Sequence, residues 1–113
     1  MANFQNITPV RLGQAVLGTT ATLIYTTPVN TRTYLKQIDV ANTTGASKNL
    51  DIYLVPTGGT AGVGNAIVYT VAVAQNTTYQ WRGVQIMNAG DKLYALCATA
   101  TSLTLTASGG EAV

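Results

Sequence analysis

The sequence has 113 residues, of which 47% are hydrophobic and only 9% are charged, so it is long enough for one core and too apolar for disorder. The formal net charge is +2, and the six Lys and Arg residues stand singly along the chain, which argues against a nucleic-acid-binding patch. With one cysteine and no histidine, the sequence excludes an intrachain disulfide and histidine-dependent catalysis.

The first nine residues, MANFQNITP, show no sustained periodicity and are polar apart from Phe4 and Ile7. They predict an N-terminal arm, which is either a frayed terminus or a segment that docks on a neighbouring molecule through these two side chains. We therefore assign residues 1–9 to an arm and residues 10–113 to a single β-sandwich domain.

From residue 10 onward, turn residues recur every ~8–12 positions between short segments rich in Thr, Val, Ile and Tyr. The 19 threonines of the sequence favour strands, because β-branched side chains pack well on a pleated surface. Eight strands are predicted, at residues 10–17, 22–27, 33–42, 50–55, 66–74, 78–81, 93–100 and 102–109. They indicate an all-β fold, a single antiparallel two-sheet β-sandwich of about eight short strands with jelly-roll or immunoglobulin-like topology.

The strand predicted over residues 33–42 alternates along its whole length. Unbroken alternation assigns one face to Tyr34, Lys36, Ile38 and Val40. Ile38 and Val40 mark this face as the core side, so Asp39 lies on the opposite side together with Leu35.

Two connections are short enough to suggest hairpins. NTTGASKN, residues 42–49, contains a glycine suited to a tight turn and would pair the strands on either side of it. In that arrangement Asp39 and Asp51 would face each other on the outward side. The strands predicted at residues 93–100 and 102–109 are expected to form the last adjacent pair.

The sequence offers no recognisable catalytic constellation. Its four acids lie on different predicted strands or loops, and we interpret them as solvated surface carboxylates. The glycine-rich stretch PTGGTAGVGN lacks the spacing and the Lys-Ser/Thr ending of a phosphate-binding loop, so it is expected to be a connection. We expect no enzyme activity, no catalytic residue, no metal, no cofactor and no small-molecule substrate.

Two further side chains have alternative interpretations. Trp81 shares a face with Tyr79 and either joins the core beside Val84 and Ile86 or stacks on sugar rings in a glycan-binding module; the core is the preferred interpretation. Cys97, within KLYALCATA, is expected to be a small buried core residue and not a reactive thiol.

Neither a signal peptide nor a membrane span is recognisable, so we expect a soluble protein made in a cytoplasm.

Two segments carry a distinctive order of turns and alternating strands. The first is LIYTTPVNTRTYLKQIDVANTTGASKNLDIYLVPTGGTAG, with a Tyr-Thr strand, a Pro-x-Asn-Thr turn, an alternating strand ending in Asn-Thr, and a strand closing on Val-Pro before a Gly-Gly loop. The second is AGDKLYALCATATSLTLTASGGEA, with an Ala-Gly-Asp turn followed by an alternating strand that ends in Ala-Ser-Gly. Both segments resemble a small family of bacteriophage virion proteins, the second being similar to its closing hairpin.

The resemblance implies a structural part of a tailed-phage particle. It would be a capsid decoration (cement) protein that binds the outer surface of the head and stabilises contacts between major capsid subunits, or a tail or baseplate component. The implied location is the capsid surface of the virion, after synthesis in the host cytoplasm. The expected partners are further copies in a homotrimer and the major capsid protein, with no nucleic acid and no membrane.

The residues predicted to contact neighbouring subunits or the capsid are Phe4, Ile7, Arg32, Lys36 and Asp39. A glycan-binding module is the alternative from another functional class.

Overall fold

The computed structural model describes residues 4–113, and eight β-strands make up most of this part of the chain. The strands are β1 (Ile7–Val16), β2 (Thr22–Thr26), β3 (Arg32–Asn42), β4 (Lys48–Val55), β5 (Ala66–Val73), β6 (Thr78–Met87), β7 (Lys92–Cys97) and β8 (Leu103–Ala112). The all-β prediction is confirmed. A single 3₁₀ turn, Val63–Asn65, lies in the glycine-rich connection, and no helix in residues 4–113 is long and apolar enough to cross a membrane.

The strands form two antiparallel four-stranded sheets. The first sheet has the order β1-β8-β3-β6, and the second sheet has the order β2-β7-β4-β5. Only β4 and β5 are both consecutive in sequence and adjacent in a sheet, so the other connections cross from one sheet to the other. This order is that of a jelly roll, which resolves the choice that the sequence left open between jelly-roll and immunoglobulin-like topologies.

The two predicted hairpins are wrong, because β3 and β4 lie in different sheets and so do β7 and β8. Asp39 and Asp51 therefore lie on different sheets and do not face each other. The corner after β3 is fixed by the buried side chain of Asn42, whose Nδ2 donates to the carbonyl oxygens of Ala46 and Val73, each at 2.9 Å. A short polar connection can serve a crossover as well as a hairpin, so its length alone could not separate the two.

The hydrophobic core fills the space between the two sheets. Its largest fully buried side chains include Leu17, Leu35, Ile38, Leu50, Ile52, Met87, Leu93, Leu103 and Leu105. Cys97 is buried among them as predicted, with Sγ 2.8 Å from the carbonyl oxygen of Thr99. Tyr79 and Trp81 are partly buried and pack against this core from β6, in agreement with the preferred interpretation of Trp81.

The first strand begins earlier than the sequence indicates. Residues 7–9 pair with β8, so they belong to the first sheet although the sequence analysis places them in the arm. Asn6 extends the pairing, since its N–H and carbonyl bond the carbonyl and N–H of Val113. Residues 1–3 of the predicted arm lie outside the described residues.

A line of β-bulges crosses the first sheet. Lys36 is an extra residue of β3 relative to β8, and Leu12 is an extra residue of β1 relative to the same strand. On the other side of β3, Gly83 and Val84 of β6 together lie opposite Lys36. Bulges bend strands and shift the side-chain alternation by one residue.

The bulges overturn part of the predicted alternation. In β3, Leu35 is fully buried, whereas Tyr34 and Lys36 lie on the outside of the sheet, because the alternation changes phase at Lys36. In β6, Val84 and Ile86 are exposed and are not core residues, contrary to the sequence prediction. Ile38 and Val40 are fully buried as predicted.

Candidate interaction face

The outer face is the side of the first sheet that points away from the second sheet, and the strand registers arrange its side chains in rows. One row runs Pro9, Gly110, Tyr34 and Ile86 across the four strands. The next row, beyond the bulges, runs Arg11, Ser108, Gln37 and Arg82. A third runs Gln14, Thr106, Asp39 and Gln80. The bulge line thus divides the outer face into an apolar end and a polar end.

At the apolar end, a shallow groove crosses the sheet. It is lined by Ile7, Pro9, Tyr34, Lys36, Val84, Gly109 and Gly110. The floor of the groove is backbone, because β8 contributes only glycines here. Gly109 is required for this packing, since a Cβ at this position would overlap the carbonyl oxygen of Tyr34. Ile7, Val84 and Ile86 are 60%, 53% and 44% exposed, so the apolar end presents large side chains to solvent.

Phe4 lies at the margin of the apolar end. Its ring stacks under the guanidinium of Arg32, with Cζ 4.3 Å from the ring centroid. At an exposed site such a cation–π contact stabilises by about 0.5–1 kcal/mol. The contact brings two of the five predicted interface residues together and gives the segment before β1 a defined attachment to the outer face.

The polar end carries cations and amides. Arg11 and Arg82 are exposed at the two edges of the sheet, and Lys36 lies beside their row at the bulge. Asp39 accepts hydrogen bonds from Nε2 of Gln37 at 2.9 and 3.1 Å. The outer face therefore combines an apolar groove with a basic row directly next to it.

The structure brings four of the five predicted interface residues to one end of the outer face. Phe4, Ile7, Arg32 and Lys36 surround the apolar end, and Asp39 lies on the same face beyond the basic row. The outer face holds further side chains that sequence analysis did not select, namely Tyr34, Val84, Arg11 and Arg82. They stand singly in the sequence, and an alternation pattern can reveal their shared face only if the positions of the bulges are known.

A polar cluster ties the two sheets together beside the core. The hydroxyl of Tyr25, on β2, donates to Oε2 of Glu111 at 2.5 Å and lies 2.7 Å from Oγ1 of Thr33. Burial and the neighbouring Glu111 carboxylate raise the pKa of the Tyr25 phenol well above its usual 10.0. Tyr25 is therefore a neutral hydrogen-bond donor that links β2 to β8. Within residues 4–113 there is no group of three side chains suited to hold a metal ion.

No family model matches this sequence, and neither does any curated protein. Solved structures do match its fold. A subunit of the disulfide-linked pili that form Bacillus endospore appendages has a TM-score of 0.61 at 19% identity, over 100% of this chain and 94% of that one. A chain of the T13 infectious bursal disease virus particle has a TM-score of 0.58 at 9% identity, over 99% of this chain. The D431N mutant VP2 protein of the same virus has a TM-score of 0.53 at 10% identity.

These likenesses establish the fold. The chain spans 32% of the length of the virus chains and nearly the whole length of the pilus subunit. It is a jelly-roll β-sandwich of the kind found within a viral capsid protein. The same sandwich also forms almost all of a pilus subunit, so it occurs in two kinds of protein assembly.

Proposed function

We propose that this chain is a structural protein of a bacteriophage particle, and specifically a capsid decoration (cement) protein. It would bind the outer surface of the head and stabilise contacts between major capsid subunits without catalysing a reaction. The observation that carries the proposal is the outer face of the four-stranded first sheet, where an exposed apolar groove adjoins the cations Arg11, Lys36 and Arg82. Contiguous exposed apolar side chains with a polar rim mark protein interaction sites.

The fold likeness supports this proposal. A jelly roll buries its core between its own two sheets, which leaves an entire sheet face available for contact with another subunit. A charge-poor surface, with 9% charged residues, also gives little electrostatic protection against association. Both features suit a protein that functions while covered by neighbours. A homotrimer seated where capsid subunits meet is part of the proposal, because a capsid offers local three-fold positions.

The proposal is tested by adding the purified protein to particles of its phage grown without the gene. Because a ligand that binds only the assembled state stabilises that state by about 2.7 kcal/mol at 100 times its Kd, the capsid melting temperature should rise with protein concentration and then saturate. An unrelated jelly-roll protein at the same concentration is the control. A melting temperature that does not change would reject the cement function.

A second candidate, a tail or baseplate component, is favoured by the pilus subunit that matches over 94% of its length. In that case copies would assemble into an elongated structure. The only cysteine of this sequence, Cys97, is buried in the core, so such an assembly would not be held by disulfides. The glycan-binding alternative loses support, since Trp81 packs against the core of the sandwich.

A further inference from the structure

The charges of this protein are unevenly distributed between its two sheets. Four of the six Lys and Arg residues lie on the outer face of the first sheet, namely Arg11, Arg32, Lys36 and Arg82. One of the four acids, Asp39, lies with them. The side chains of the outer face therefore sum to +3, and the remaining two lysines and three acids sum to −1, which together give the formal +2 of the chain.

The basic row has a defined geometry. Arg11 and Arg82 occupy the two edge strands of the first sheet, and three interstrand steps of ~4.8 Å separate their backbones by about 14 Å. Ser108 and Gln37 lie between them in the same row, and the amide of Gln37 is bonded to Asp39. Lys36 lies beside the row and also lines the apolar groove. An apolar site and cationic sites are thus within reach of one partner surface.

This charge distribution decides which occupant fits. A second copy placed face to face would set four cations against four cations, and like-charge juxtaposition disfavours such a pair. A partner with carboxylates opposite the basic row would instead gain complementary contacts along the width of the sheet. Hydrogen bonds between an arginine guanidinium and a carboxylate are charge-assisted and stronger than those between neutral groups.

We propose that the outer face docks on a carboxylate-bearing protein surface, with the basic row against the carboxylates and an apolar side chain of the partner in the groove. The inference rests on the proposed function, because the capsid shell is the surface that would supply these carboxylates. What is added to that function is the chemistry of the partner surface and the two arginines, Arg11 and Arg82, that hold the register of the contact.

Two double variants of equal net charge test the proposal. Arg11→Gln with Arg82→Gln removes both arginines of the basic row, and Lys48→Gln with Lys92→Gln removes the two cations that lie outside the outer face. Each double variant lowers the formal charge from +2 to 0. Circular dichroism and thermal unfolding establish that both variants are folded.

Binding of both variants to gene-deleted particles is measured by sedimentation at 50 and 300 mM NaCl. At low salt we expect the arginine variant to bind about tenfold more weakly than wild type, a loss of about 1.4 kcal/mol shared by two exposed charge contacts. The lysine variant should bind like wild type. Raising the salt should weaken wild-type binding more than binding of the arginine variant, because the Debye length shortens.

The outcomes separate the two proposals. If wild type binds particles and the two double variants bind as tightly as each other, the docking face is wrong and the cement function stands. If wild type does not bind particles at all, the cement function fails, and the docking proposal fails with it. A 20-base-pair DNA duplex is the comparison probe, and arginine-dependent binding to DNA instead of to particles would also overturn the carboxylate partner.

Discussion

Gly13 of β1 lies close to Ile24 of β2, which makes it a sensitive position. A Cβ at Gly13 would lie 2.5 Å from the carbonyl oxygen of Ile24 and 2.8 Å from its Cγ2, whereas real Cβ atoms essentially never approach another atom within 3.0 Å. The oxygen belongs to the backbone and cannot rotate away. In Gly13→Ala the edges of the two sheets must therefore separate by at least 0.5 Å at this point.

Overpacking of this kind costs about 1–3 kcal/mol, while replacing glycine by alanine returns about 0.4–1 kcal/mol through the unfolded chain. We expect a net loss of about 1–2 kcal/mol in the free energy of unfolding, or a fall of ~4–8 °C in Tm for a domain of this size. Differential scanning calorimetry and urea unfolding measure both quantities.

Gly45→Ala is the matched control, since a Cβ there meets nothing within 4 Å and its backbone is outside the left-handed region. This variant should be neutral or stabilised by up to about 1 kcal/mol. Equal effects of the two substitutions would refute the close packing of β1 against β2.

Three further predictions concern buried polar groups. Thr27→Val should raise the free energy of unfolding by about 1 kcal/mol, because Oγ1 of Thr27 is buried without a hydrogen-bond partner. Thr33→Val should lower the free energy of unfolding by about 1 kcal/mol, because it removes the hydrogen bond to Tyr25. Urea unfolding measures both changes and their signs. Because the pKa of Tyr25 is raised in the folded state, its contribution to stability is complete below pH 10.0 and is lost as the pH rises above that value. The Tm of the wild type should therefore fall at alkaline pH. Tyr25→Phe, which also leaves Glu111 without this donor, should make that fall smaller. Finally, the buried thiol of Cys97 should react with a thiol reagent only at the rate of unfolding, and fast reaction of the native protein would contradict its place in the core.

The composition and turn spacing of the sequence were sufficient to predict the fold class. Short β-branched segments between turn residues predict strands wherever they occur, and all eight are present. Pairing was not predictable in the same way. The connection after β3 has hairpin length, yet the side chain of Asn42 bonds to the carbonyl oxygens of Ala46 and Val73, and the next strand joins the other sheet. That choice depends on contacts between distant parts of the chain.

The candidate face was predictable only in part. Phe4 and Ile7 stand out in a polar segment, so sequence analysis could select them. Tyr34 was assigned to the core because strict alternation runs through Lys36, where the structure has a bulge. The basic row could not be predicted for a different reason, because Arg11 and Arg82 come from strands at opposite edges of the sheet. No local pattern in the sequence records that they share a row.

The copy number of this protein in purified virions tests the central proposal most directly. Quantitative mass spectrometry of particles, with the major capsid protein as the internal reference, gives the ratio of the two chains. A cement protein should be present at a fixed ratio close to that of the capsid subunit and should be lost from gene-deleted particles. A few copies per particle would indicate a tail component, and absence from purified virions would contradict a virion role.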